Sequence, residues 1–180
     1  MKRLIFSIIF CCVLPLSSSV SAADAKKPPD GWRYPTEKEL AADDERRESS
    51  TKFARATADF NGDGISDEAY LFKSTRFSGQ GLLVWLSDGK RGFNWVTLDV
   101  IDWGPKYPNV DLAMGLEVLA PGTHQYLCIE VGKDCVGKTE PRSKITIKTP
   151  SILYYRFESA ASLFYWDSNK KRFIRVWLSD

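Results

Sequence analysis

Ala58-Asp59-Phe60-Asn61-Gly62-Asp63-Gly64-Ile65-Ser66-Asp67 sets oxygen-bearing side chains at loop positions one (Asp59), three (Asn61), five (Asp63) and nine (Asp67). Gly64 stands at position six, where such a loop must turn sharply, and Ile65 at seven supplies a backbone carbonyl. Three carboxylates and one amide drawn into a small volume repel one another without a cation, so the stretch predicts a hard divalent ion. Calcium suits it better than magnesium, which keeps its waters and takes few carboxylates. A helix–loop–helix site would carry a bidentate Glu at position twelve, and this chain has Tyr70 there. The flanking residues are β-branched and aromatic, so the turn joins two strands.

The strand pattern continues outward from this loop. Short runs of β-branched and aromatic residues, separated by Gly, Asp, Asn, Ser and Pro, predict strands near 52–58, 68–73, 81–86, 94–98, 116–119, 126–130, 144–148, 152–157, 162–166 and 173–178. Ser87-Asp88-Gly89-Lys90 and Asp167-Ser168-Asn169-Lys170 are short enough to close hairpins, which makes the sheets antiparallel. These two hairpins resemble each other: each has an apolar strand ending in Trp (Trp85, Trp166), a basic turn, then Phe (Phe93, Phe173) and a returning strand. A closed propeller needs about four to eight blades of four strands, more than residues 51–180 supply. The expected fold is mainly β, an antiparallel sandwich or partial propeller-like sheet with a short N-terminal helix.

Three segments are expected. Residues 1–22 read as a signal peptide: Lys2 and Arg3, an apolar run from Leu4 to Leu16 too short to span a bilayer, then Val20-Ser21-Ala22 before a cut. Phe10 is too bulky for a lipobox ahead of Cys11. Residues 23–50 read as a spacer and short polar helix, opened by the capping-box pattern Thr36-x-x-Glu39 and running through Glu37 to Arg47. Residues 51–180 form the calcium-stabilised β domain. Export places the protein in the periplasm, and Cys128 and Cys135, the cysteines left after cleavage, are expected to be bridged there.

The whole chain has 25 Lys and Arg against 23 Asp and Glu, and cleavage removes two basic residues and no acid. A charge-balanced chain lacks the basic stripe of a nucleic-acid binder, and no second apolar run is long enough to span a membrane. Catalytic motifs are missing: the single histidine, His124, sits in a turn-like Pro121-Gly122-Thr123, and no nucleophile elbow, phosphate loop or paired-histidine helix occurs. Asp99 and Asp102 are acids of a kind common in loops, and the protein is read as not an enzyme. Trp103-Gly104-Pro105-Lys106-Tyr107 lies in the longest break between strands, residues 99–115, where Trp103 and Tyr107 either anchor a partner or fold back onto the core.

The Phe60-Asn61-Gly62-Asp63-Gly64-Ile65-Ser66-Asp67 turn resembles the calcium loops of FG-GAP and VCBS repeats, over roughly residues 53–98. The resemblance implies Asp59, Asn61, Asp63, Ile65 through its carbonyl, and Asp67 as ligands of a structural Ca2+. Architecture and compartment are similar to small exported bacterial proteins with such a loop that act as immunity proteins or lysozyme inhibitors. That implies a protein partner, a peptidoglycan-degrading toxin or lysozyme. No inhibitory motif is matched, so no inhibitor residue is carried over. The alternative is a carbohydrate- or peptidoglycan-binding module.

Overall fold

A computed structural model describes residues 26–108, 110–127 and 142–179. The strands are β1 Trp32–Arg33, β2 Arg55–Ala58, β3 Asp67–Ser74, β4 Gly79–Ser87, β5 Phe93–Asp102, β6 Met114–Leu119, β7 Gly122–Leu127, β8 Arg142–Ile147, β9 Ser151–Arg156, β10 Ala161–Asp167 and β11 Arg172–Ser179. They form two antiparallel sheets that do not close into a barrel. The first has the order β1-β3-β4-β5, with β2 also paired to β3; the second has the order β6-β9-β10-β11-β7-β8. The mainly β, two-sheet architecture is the one the strand pattern predicts, and each of the two look-alike hairpins lies in a different sheet.

Alternation along the central strands explains the packing. Ala69 and Leu71 of β3 and Leu82, Val84 and Leu86 of β4 face the second sheet. There they meet Leu116 of β6, Ile152 and Tyr154 of β9, and Phe164 of β10 in one core. The intervening Tyr70, Phe72 and Leu83 point to the opposite face, where Trp32, Tyr34 and Trp95 cover them. The first sheet is therefore buried on both sides, and Trp32 and Tyr34 of its outer cover come from the residues read as a spacer. Gly81 makes room for that cover, since a Cβ there would lie 2.6 Å from the Trp32 ring.

The expected helix is shorter than its composition suggests. Thr36 and Glu39 form the capping box, but the helix α1 spans only Glu37–Leu40, and a 3-10 helix follows at Asp44–Glu48. The reason is Arg46, which is fully buried. Its guanidinium donates to the carbonyls of Lys52 (2.9 Å), Leu112 (2.7 Å) and Met114 (2.6 Å), a pull inward that a regular polar helix on the surface does not allow. Charge-assisted bonds of this kind are stronger than neutral ones and tie the N-terminal segment to β6.

β5 also outruns its expected end. It continues to Asp102 with a bulge opposite Leu82 and Leu83, so the break before β6 covers only residues 103–113.

Candidate metal loop and candidate partner surface

The β2–β3 turn is built on its own backbone donors. Asp59 Oδ1 accepts from the N–H of Gly62 (2.7 Å) and Asp63 (3.1 Å), and Oδ2 from Gly64 (2.8 Å). Asn61 Oδ1 accepts from Asp63 N–H (3.0 Å), and Asp63 Oδ1 from Ile65 N–H (2.8 Å). Gly62 and Gly64 both have positive φ, +76° and +86°, which a turn of this tightness requires and other residues rarely adopt.

Long-range bonds then join the turn to both sheets. Asp67, fully buried, accepts from Phe60 N–H (2.9 Å) and from Ser87 N–H at the end of β4 (2.8 Å). Asn61 Nδ2 donates to the Ser87 carbonyl (3.0 Å), and Thr149, in the turn before β9, donates to the Phe60 carbonyl (3.0 Å). The Phe60 ring is itself in the shared core. Neither Ser87 nor Thr149 is marked in the sequence as part of the loop, since each is brought there by register rather than by spacing.

Electrostatics separate the two inner acids. Burial pushes the Asp63 carboxyl up, but bonds from Ser87, Ile65, Asn61 and Gly89 more than offset it and hold it below the usual range. At Asp67 burial prevails and raises the carboxyl against the bonds from Ser87, Phe60 and Asn61.

The donor set fits a hard cation in chemistry. All the side chains offer oxygen, and among the described residues none of the three carboxylates is in an ion pair with Lys or Arg. The arrangement departs from a coordination shell, because the side chains are distributed around the turn on N–H groups. No group of three or more His, Cys, Asp or Glu among the described residues gathers at metal-holding distances.

The aromatic loop divides its two candidates. Trp103 is half-buried with its indole N–H inside, while Tyr107 is 61% exposed, the most exposed large apolar side chain among the described residues, ahead of Val100 and Val118. Hydrogen bonds hold the described parts of the loop. Trp103 N–H donates to Ser78 O (2.9 Å), Ser78 Oγ to the Tyr107 carbonyl, Lys73 Nζ to the Val110 carbonyl, and Ala113 N–H to Gln80 Oε1 (2.8 Å).

The acids weighed for catalysis are separately engaged: Asp99 pairs with Arg175 (3.3 Å), and Asp102 accepts from Gly104 N–H (2.8 Å). His124 lies in β7 rather than in a turn, opposite Ile145 of β8, and its ring Nε2 is 3.2 Å from the Ala120 carbonyl. The expected leader, residues 1–22, and the expected Cys128–Cys135 bridge lie outside the described residues. No helix among the described residues is long and apolar enough to cross a membrane. Compared with family models, curated proteins and solved structures, the chain finds no match.

Proposed function

We propose that the protein is an exported periplasmic binding module, an inhibitor or immunity protein that occupies a cell-wall-degrading enzyme, with a structural calcium ion in the Asp59–Asp67 loop. The observation that supports it is Tyr107, an aromatic ring 61% exposed on a loop held by hydrogen bonds to β3 and to the turn between β3 and β4. A ring displayed on a fixed loop binds with little ordering cost, and tyrosine is among the residues that dominate protein interfaces. Bound calcium would be held by Asp59, Asn61, Asp63, Asp67 and the Ile65 carbonyl, where it would offset clustered negative charge and stiffen the turn. The chain's own residues then supply the contact surface.

The test is inhibition of peptidoglycan hydrolysis by a panel of lysozymes and amidases. At least one enzyme should be blocked, and Tyr107→Ala should weaken the block by about 2 kcal/mol, roughly thirtyfold, without lowering the melting temperature. If no enzyme is inhibited and the protein sediments with insoluble peptidoglycan, the glycan-binding reading replaces this one.

A further inference from the structure

A groove of about 520 Å3 opens at the end of the second sheet. Phe53, Tyr155 and Phe157 form its apolar part, with ring centroids 6.2, 5.7 and 5.4 Å apart pairwise. Phe53 is held there by its backbone: Lys52 and Phe53 both have positive φ (+54° and +51°), and the Phe53 carbonyl accepts from Leu116 N–H (2.8 Å). Positive φ is rare for a bulky aromatic residue, and it persists only where the surroundings fix it.

Carboxylates surround this aromatic patch. Glu45, Glu48, Glu117 and Glu158 line the groove, and among the described residues Arg156 is the one basic residue in its lining. A second cleft continues past Arg156 and Phe157 with Asp43, Asp44 and Asp111, of which Asp44 is paired to the exposed Arg47. Partial burial first, and then the charges of Glu158, Asp43 and Glu48, raise the Glu45 carboxyl. The patch already carries one cation: the Arg46 guanidinium carbon lies 5.0 Å from the Phe157 centroid. The ring face attracts such a charge through its quadrupole, and an acidic rim strengthens the attraction.

We infer that this groove seats an arginine or lysine side chain projecting from the protein partner, so that the partner presents a basic surface to this end of the molecule. The inference rests on the binding reading above for the partner being a protein, and it adds the chemistry that recognises it. Apolar floor and acidic rim together select a cation with a flat or methylene-rich body over a neutral or acidic group.

The test uses the full isotope-labelled chain titrated with acetyl-Gly-Arg-Gly-amide and with the same peptide carrying citrulline, which keeps the shape and removes the charge. Amide shifts should saturate at Glu45, Phe53, Tyr155 and Glu158. The citrulline peptide should bind about tenfold more weakly, a factor equal to about 1.4 kcal/mol. The Glu45→Gln/Glu158→Gln double variant should weaken the arginine peptide several-fold while its melting curve stays in place. Equal binding of both peptides, indifference to the double variant, or no shift at these residues overturns the inference. The same double variant is then put into the hydrolysis assay. Unchanged inhibition there overturns the groove as partner anchor and leaves the inhibitor reading standing. Peptide binding with no enzyme inhibited sinks the inhibitor reading and, with it, the assignment of the groove to a protein partner.

Discussion

Asp67→Ala removes the acceptor for two backbone N–H groups that have no water to replace it, because Phe60 is fully buried and Ser87 nearly so. Each orphaned buried donor costs about 1–3 kcal/mol, and no longer burying a carboxylate returns part of that, so a net loss of about 3 kcal/mol is expected. For a chain of this size that corresponds to a fall in melting temperature of about 9 °C. Asp67→Asn keeps the shape and one acceptor but turns an NH2 group on the second donor, for a loss of about 2 kcal/mol. Asp59→Ala supplies the control. Its donors Gly62 and Gly64 are exposed so that water takes its place, Asp63 N–H keeps its bond to Asn61 Oδ1, and the loss stays below about 1 kcal/mol. The assay is urea unfolding with linear extrapolation, in chelator so that no cation contributes. An Asp67→Ala variant within 1 kcal/mol of the parent, or an order in which Asp59 matters more than Asp67, would refute the claim that these two bonds hold the turn to the end of β4.

Four further outcomes are expected. Chelation should lower the melting temperature of the parent protein, and Asp63→Ala should remove most of that response; an unmoved curve for the parent rejects the calcium site. Arg46→Ala should cost about 3 kcal/mol or more in urea unfolding, since three backbone carbonyls lose their donor, and Arg46→Lys should recover only part because an ammonium cannot span them. The hydrogen bond from Arg33, opposed by burial and joined by bonds from Thr36, holds the Glu39 carboxyl at about 2, below its ordinary value of 4.5. Its stabilisation is therefore present above pH 4.5 and lost as pH falls toward 2, and Glu39→Gln should abolish that part of the acid dependence; with Arg33 41% exposed, screening limits the effect to about 1 kcal/mol. Protein purified from periplasm should start near Ala23 and show no thiol titre when unfolded without reductant; two reactive thiols would exclude a Cys128–Cys135 bridge, which is expected to contribute about 2–3 kcal/mol.

Local patterns carried most of the fold. Nine of the ten expected strands have an observed counterpart, because burial of one or both sheet faces enforces that pattern directly, while the tenth, expected at 126–130, overlaps β7 only at 126–127 and otherwise lies outside the described residues. β1 escaped it, since two residues cannot show a period and nothing local shows that β3 would pair with them. The polar composition of residues 37–47 suggested one helix because nothing local reveals that Arg46 finds its partners at Leu112 and Met114. The same division holds for the sites. Asp59, Asn61, Asp63 and Asp67 were legible because their spacing lies within one turn. Ser87 and Thr149 were not, because β4 and the turn before β9 reach the loop only after the sheets assemble. The aromatic groove was invisible for the same reason: Glu45, Phe53, Glu117 and Tyr155 come from four separate segments.

The bulge in β5 has a consequence for the protein's behaviour in a crowded compartment. β5 is ten residues long and ends its sheet, so its outer side offers a row of backbone donors and acceptors of the kind that recruits further strands. The extra residue at Leu98 breaks the even spacing of that row and adds local twist, Asp102 leaves a charge beside it, and Asp99 is turned away into its pair with Arg175. Two copies laid side by side therefore cannot match hydrogen bonds along the full strand. Deleting Leu98 would restore an even, nine-residue ribbon edge, and the protein should then self-associate in a concentration-dependent way while the parent remains dispersed.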